Sequence, residues 1–185
     1  MPRGKQAILQ ELLVLRCQRG ERQAFDELFR LWQERLFYYI RRLVGSEEDA
    51  WDVLQQTWVR VLKGIKTLRE PGRLPVWLYQ LARSAAMSHW RGHYRDHSHR
   101  EPECDLAELP AADTAFPPDD AEQVHRALGQ VSVAHREVLT LHFLEGFPVD
   151  QMAEILGIPE GTVKSRLFHA RRAFRAVLEC EEHVQ

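Results

Sequence analysis

The stretch Pro148–Val177, PVDQMAEILGIPEGTVKSRLFHARRAFRAV, constrains this chain more than any other. Met152, Ile155 and Leu156 recur at helical spacing, and Gly157 is placed to end that helix in a left-handed turn. Ile158 returns to the core, and Pro159 suits the first position of a new helix, where its missing N–H costs nothing. Val163, Leu167, Ala170 and Phe174 then form one stripe at steps of four, three and four. Lys164, Ser165, Phe168, His169, Arg171, Arg172 and Arg175 occupy the opposite face. From residue 159 to 177 the balance is five basic residues against Glu160, a net of +4. A short helix, a glycine turn and a basic second helix are what a helix-turn-helix needs to lay a reading helix in the DNA major groove. The competing reading is an ordinary helical hairpin with a solvated cationic face.

The whole chain hides this basicity. Its 185 residues carry a formal charge of −2, but residues 101–122 contain eight acidic side chains and neither Lys nor Arg. That leaves the flanking parts together at +6. Pro102, Pro110, Pro117 and Pro118 fall in the same segment, and few of its residues could build a core. It reads as an extended, self-repelling linker. The expected organisation is all-α: a helical domain over 7–97, an acidic linker over 98–120, and a helix-turn-helix domain over 121–180. No apolar run approaches a membrane span, so no membrane insertion is expected. Cys17, Cys104 and Cys180 are odd in number and lack CxxC spacing, which predicts a reducing, cytoplasmic setting.

In the first module, Ile8, Leu12 and Leu15 open a helix that Gly20 interrupts. Phe25, Leu28, Phe29, Trp32, Leu36 and Ile40 mark a second, and Ser46 with Asp49 resembles a capping box opening a third. In that third helix Trp51, Leu54, Trp58, Val61, Leu62 and Ile65 form the apolar stripe. Asp52, Gln55 and Gln56 lie away from it, and spacing alone makes them a solvated face. A fourth helix begins near Pro75, with Trp77 and Leu81 assigned to the core. Towards its end Arg83, Arg91, Arg95 and Arg100 against Asp96 give a local +3, interleaved with Trp77, Tyr79, Trp90 and Tyr94. Cations beside flat aromatic rings suit a single strand with unstacked bases. Before the helix-turn-helix, two further helices are expected, bearing Val124 and Leu128, then Val138, Leu141 and Leu144.

A different chemistry is also conceivable. His89, His93 and His97 are spaced i, i+4, i+8, with His99 and Cys104 beyond, and such a set could hold zinc. No paired cysteines support it, and Arg91 and Arg95 lie among the histidines, so phosphate-facing histidines are the preferred reading. No nucleophile–base pair, phosphate loop or carboxylate dyad is recognisable, so neither catalysis nor a cofactor is expected. A stand-alone helix-turn-helix regulator remains the alternative function, and would bind its operator unaided.

Three segments in register, EEDAWDVLQQTWVRVL, WLYQLARSAAMSHWR and LTLHFLEGFPVDQMAEILGIPEGTVKSRLFHARRAF, resemble bacterial RNA polymerase sigma factors of the extracytoplasmic-function group of the sigma-70 family. The resemblance covers most of the chain. It implies core RNA polymerase and promoter DNA as partners, with an anti-sigma factor as regulator. It reassigns Asp52, Gln55 and Gln56 to the polymerase clamp. It places the loop 68–76 where a flipped −10 base is captured, and Leu68, Arg73, Arg83, Ser84, Ser88, Arg91 and Arg95 at the −10 element. Lys164, Ser165, Phe168 and His169 match −35 contacts, with Arg171, Arg172 and Arg175 on phosphates. Lys and His can donate to guanine, and Phe can pack on a thymine methyl. The chain departs from the family at Ser84 and Ser88, where Asn and Asp are usual, and at Pro148, where Ser or Thr commonly caps.

Overall fold

The computed structural model of the protein describes residues 5–97 and 127–182, so the acidic segment 98–120, Val124, His99 and Cys104 lie outside the described residues. In chain order the α-helices are α1 (Lys5–Gln18), α2 (Arg22–Leu43), α3 (Glu47–Gly64), α4 (Leu74–His97), α5 (Val133–Leu139), α6 (Val149–Leu156) and α7 (Glu160–Glu182). Among the described residues there is no strand.

The punctuation foreseen in the sequence is present. Gly20 takes φ of 84° after α1. Ser46 accepts the Asp49 amide at 3.0 Å and donates its hydroxyl to the Asp49 carboxylate at 2.7 Å. A cap of this kind stabilises a helix by about 1 kcal/mol. Gly157 closes α6 in the left-handed region at φ 67°, ψ 32°. Pro159 sits one residue earlier than expected, outside α7, where its carbonyl accepts the Val163 amide at 3.1 Å.

The core departs from the sequence stripes in instructive ways. On α1 the expected Ile8, Leu12 and Leu15 are exposed, and Leu13, Val14 and Cys17 are buried instead. A leucine-rich helix has two apolar faces, and the Gln18 amide decides between them by donating to the Ile65 and Leu68 carbonyls at 3.0 and 2.8 Å. On α3, Trp51 and Leu62 point outward, while Ala50, Val53 and Thr57 join Leu54, Trp58 and Val61 inside. Phe29 is likewise more exposed than its stripe predicts, stacking on Trp58 at 4.9 Å between centroids.

The first half closes around aromatic rings. Tyr79 of α4 is fully buried, with Trp32 and Tyr39 of α2 at 6.4 and 4.9 Å between centroids. Trp90 donates its indole N–H to the Leu43 carbonyl at 3.0 Å. Tyr79 therefore cannot be a platform for bases, and Trp90 is anchored as a structural group. Trp77 and Leu81 pack against the core from its edge.

In the second half a π-helical turn, Thr140–Leu144, follows α5 directly. It widens the coil, so Leu144 leaves the Val138–Leu141 stripe and stands exposed beside Phe143. The same turn carries Phe147 back to the core, with its ring edge on Tyr79 at 4.9 Å. Phe147 thus joins the two halves at an apolar seam. Beneath α5, Arg136 is 3% exposed and donates to the carbonyls of Leu128, Gly129 and Val131, and across the seam to that of Arg42. Burial, with Arg42 and Arg41 nearby, lowers its pKa to about 10.

Cys17 gives a simple check on this packing. Burial pushes its thiol pKa up to about 11, so the reactive thiolate is scarce near neutral pH. Iodoacetamide at pH 8 is expected to leave Cys17 unmodified in the folded protein and to alkylate it once urea unfolds the chain. Peptide mass mapping reads the difference, and rapid labelling under native conditions would contradict the placement of α1.

Candidate nucleic-acid interface

α7 presents two distinct exposed surfaces. Its buried stripe, Val163, Leu167 and Ala170, packs on α5 and α6, with Phe174 half-buried beyond. Towards the C-terminal half, Phe168, Arg171, Arg172 and Arg175 line an apolar groove of about 550 Å³ shared with Phe143 and Leu144. Arg172 lies over the Phe168 ring at 5.8 Å and Arg171 over Phe143 at 5.7 Å. Such cation–ring contacts hold guanidinium groups without neutralising them. Ser165 and His169 are exposed one turn apart and are not part of the groove lining. His135 of α5 lies within the field of Arg166 and His169, and burial first, then those two groups, holds it below the usual histidine pKa. The shift favours the neutral imidazole, which adds no charge beside the exposed Ser165 and His169 surface. Lys164 is exposed near Glu160, 3.8 Å away.

The surface of α3 is mixed rather than polar. Asp52, Gln55 and Gln56 are exposed as expected, and Trp51, Val59 and Leu62 share that exposure. Trp51 is held by Phe37 at 4.3 Å between ring centroids. Exposed apolar groups beside polar ones, on a rigid helix, are the composition of a docking surface. Sequence spacing misses its apolar part, because it places Trp51 and Leu62 on the core stripe.

The expected −10 residues are dispersed over α4 and the loop before it. Leu68 is half-buried, and its carbonyl is fixed by Gln18. Ser84 is exposed and accepts from Arg60 at 3.1 Å. Ser88 donates to the Ser84 carbonyl at 2.8 Å and accepts from Arg91 at 3.4 Å. Arg73 and Arg83 are instead engaged with the second half: Arg73 pairs with Glu154, and Arg83 with Glu137 at 3.0 Å. The Arg95 side chain lies outside the described residues. Of the candidate zinc set, His89 is directed to Asp49 at 3.0 Å, and the side chains of His93 and His97 are also outside. Among the described residues no three His, Cys, Asp or Glu side chains converge as metal ligands.

Known proteins share this arrangement. The pattern of Sigma-70 region 2 fits residues 28–96, and that of Sigma-70, region 4 fits residues 121–174. The RNA polymerase sigma-H factor of Pseudomonas aeruginosa is 30% identical over 182 residues, spanning 90% of this chain and 92% of that protein. The chain is an extracytoplasmic-function sigma factor of the sigma-70 family. As a sigma factor it directs core RNA polymerase to promoter DNA and initiates transcription. The sigma factor SigM of Mycobacterium tuberculosis is 31% identical over 160 residues, spanning 86% of this chain and 79% of that one. A solved structure of the sigma factor RpoE from Bartonella quintana, in complex with the anti-sigma factor NepR, superposes with a TM-score of 0.67. The identity is 25%, over 84% of this chain and 96% of that one. Among the described residues, no helix of this sigma factor is long and apolar enough to cross a membrane.

Proposed function

We propose a division of labour for this sigma factor, in which residues 7–97 bind core polymerase and the −10 element, and residues 121–180 read the −35 element. Residues 98–120 join them. The factor performs no chemistry itself and works in the cytoplasm, where polymerase and promoter are. Binding energy drives melting: capture of unpaired bases by α4 and the 68–76 loop shifts the duplex towards its open form. An anti-sigma factor is a further partner, a reading supported by the RpoE relative solved with NepR.

The outward face of α3 carries this reading. Asp52, Gln55 and Gln56 supply polar contacts, and Val59 and Leu62 supply apolar area that the fold leaves uncovered. These side chains stand above a buried layer of Val53, Leu54 and Thr57, so truncating the polar ones leaves packing intact. The double substitution Asp52→Ala, Gln55→Ala is expected to weaken association with core polymerase by about tenfold or more, at an unchanged melting temperature. Competition against the unmodified factor for a limiting amount of core measures it. Equal competition by the variant would remove α3 from the polymerase interface.

A further inference from the structure

Two arginines where α3 meets α4 are held in place without being neutralised. Arg60 of α3 donates to the Ser84 hydroxyl at 3.1 Å. Ser88, one turn further along α4, accepts from Arg91 at 3.4 Å and donates its own hydrogen to the Ser84 carbonyl at 2.8 Å. Arg16, Arg35, Arg73 and Arg83 each meet a glutamate. Among the described residues the polar partners of Arg60 and Arg91 are these two hydroxyls. A hydroxyl fixes a guanidinium by a hydrogen bond and leaves its charge in place. Ser84 and Arg91 are exposed, and Arg60 is half-buried beside them. Spacing along α4 cannot single out Arg60, because it comes from another helix, 24 residues from Ser84.

The chemistry of this set is one-sided. Ser88 has committed its hydrogen, and its oxygen faces Arg91. What remains for a ligand is donors: the unused N–H groups of two guanidiniums and the Ser84 hydroxyl hydrogen. Phosphate oxygens only accept, and they carry the negative charge that two unpaired cations favour. The one base edge with two acceptors side by side is that of guanine, and it is neutral.

We propose that Arg60 and Arg91, set on Ser84 and Ser88, form a seat for phosphates of the open promoter strand, which holds the strand without reading its bases. Arg60 is thereby a strand-binding residue contributed by α3. This rests on the assignment of α4 to the −10 strand. Asn and Asp, usual in the family at positions 84 and 88, would act otherwise. An amide pairs with a base edge, and a carboxylate at 88 would neutralise Arg91.

The test uses holoenzyme reconstituted from core polymerase and the full-length factor. The probe is a fluorescein-labelled promoter duplex whose −10 region is held open by mismatches. Arg60→Gln keeps a donor for Ser84 and removes the charge, so the contact between α3 and α4 survives. It is expected to weaken binding about tenfold. The logarithmic salt slope is expected to flatten by about 0.7, the share of one single-strand phosphate. Selection from a library randomised over the −10 element is expected to return the same sequences as the unmodified factor. Arg60→Lys, which restores the charge, is expected to recover the slope, and Ser88→Asp to flatten it by pairing Arg91 internally. If Arg60→Gln binds as the unmodified factor does while Arg91→Ala binds more weakly, Arg60 is no part of the seat. The proposal then falls with the −10 assignment of α4 intact. If Arg60→Gln changes the selected base at one position, Arg60 reads a base and the phosphate seat is overturned. Unchanged binding in Arg60→Gln, Arg91→Ala and Ser88→Asp alike would take this face of α4 off the strand, and the proposal with it.

Discussion

Arg136→Met is expected to destabilise the second half by about 3–5 kcal/mol, a large fraction of what holds a domain of this size together. Its guanidinium satisfies the carbonyls that end the helical turn at 127–130, through Leu128, Gly129 and Val131, and reaches the Arg42 carbonyl at the end of α2. Methionine preserves much of the stem volume but supplies no donor, so those acceptors stay buried without partners. Such acceptors each cost about 1–3 kcal/mol, offset partly because no cation has to be desolvated. Small domains are stable by only about 5–15 kcal/mol, so this substitution should bring the second half near its unfolding threshold. Urea titration followed by tryptophan fluorescence reports mainly on the first half, since every tryptophan lies there. Circular dichroism must therefore accompany it, with the helix signal losing its later transition. Arg136→Lys, which restores charge but not the fork, is expected to recover less than half of the loss. A loss under about 1 kcal/mol for Met would mean that water replaces the guanidinium.

How much of this fold is legible in the sequence follows from the range of the interactions involved. Gly157, Ser46 with Asp49, and the α7 stripe act within one or two helical turns, so residue spacing defines them. The face of α1 is not legible, because Leu12 and Leu13 are equally apolar and the choice is made by Gln18 bonding to residues 47 and 50 positions away. Trp51 and Leu62 mislead for a related reason. A helix that buries one side in its own core and offers the other to a partner reads as one broad apolar stripe. Tyr79 resembles a base platform because it sits among arginines in sequence, whereas the fold turns it towards Trp32, Tyr39 and Phe147. The engagement of Arg73 and Arg83 by acidic residues 81 and 54 positions away has no local signal. A π-helical turn at Thr140–Leu144 likewise has no spacing signature, yet it places both Phe147 and Glu145 at the seam.

His169→Ala should redistribute promoter preference at one or two −35 positions, and Arg172→Ala should not. The two residues differ in what holds them. Ser165 and His169 stand on exposed α7 surface outside the groove lining, one turn apart, closer than Arg172 to the N-terminal end, which the proposed reading inserts into DNA first. Arg172 lies further along, over the Phe168 ring at the groove edge, where a helix entering by its N-terminal end is already leaving the bases. A well-placed base contact discriminates by about 1–3 kcal/mol, roughly 5- to 150-fold between the right and wrong base pair. A phosphate contact contributes nearly equally on every sequence and releases a counterion. Arg172→Ala is therefore expected to weaken all −35 elements alike and to flatten the salt dependence by about one unit in logarithmic slope. Selection from randomised −35 elements with each reconstituted holoenzyme, alongside salt titrations on one selected promoter, separates the two effects. Should Arg172→Ala alter the selected sequence while His169→Ala leaves it intact, α7 would enter the groove by its arginine-bearing half. The groove that Phe168 shares with Phe143 and Leu144 would then face DNA, and the surface carrying Ser165 and His169 would face away from it.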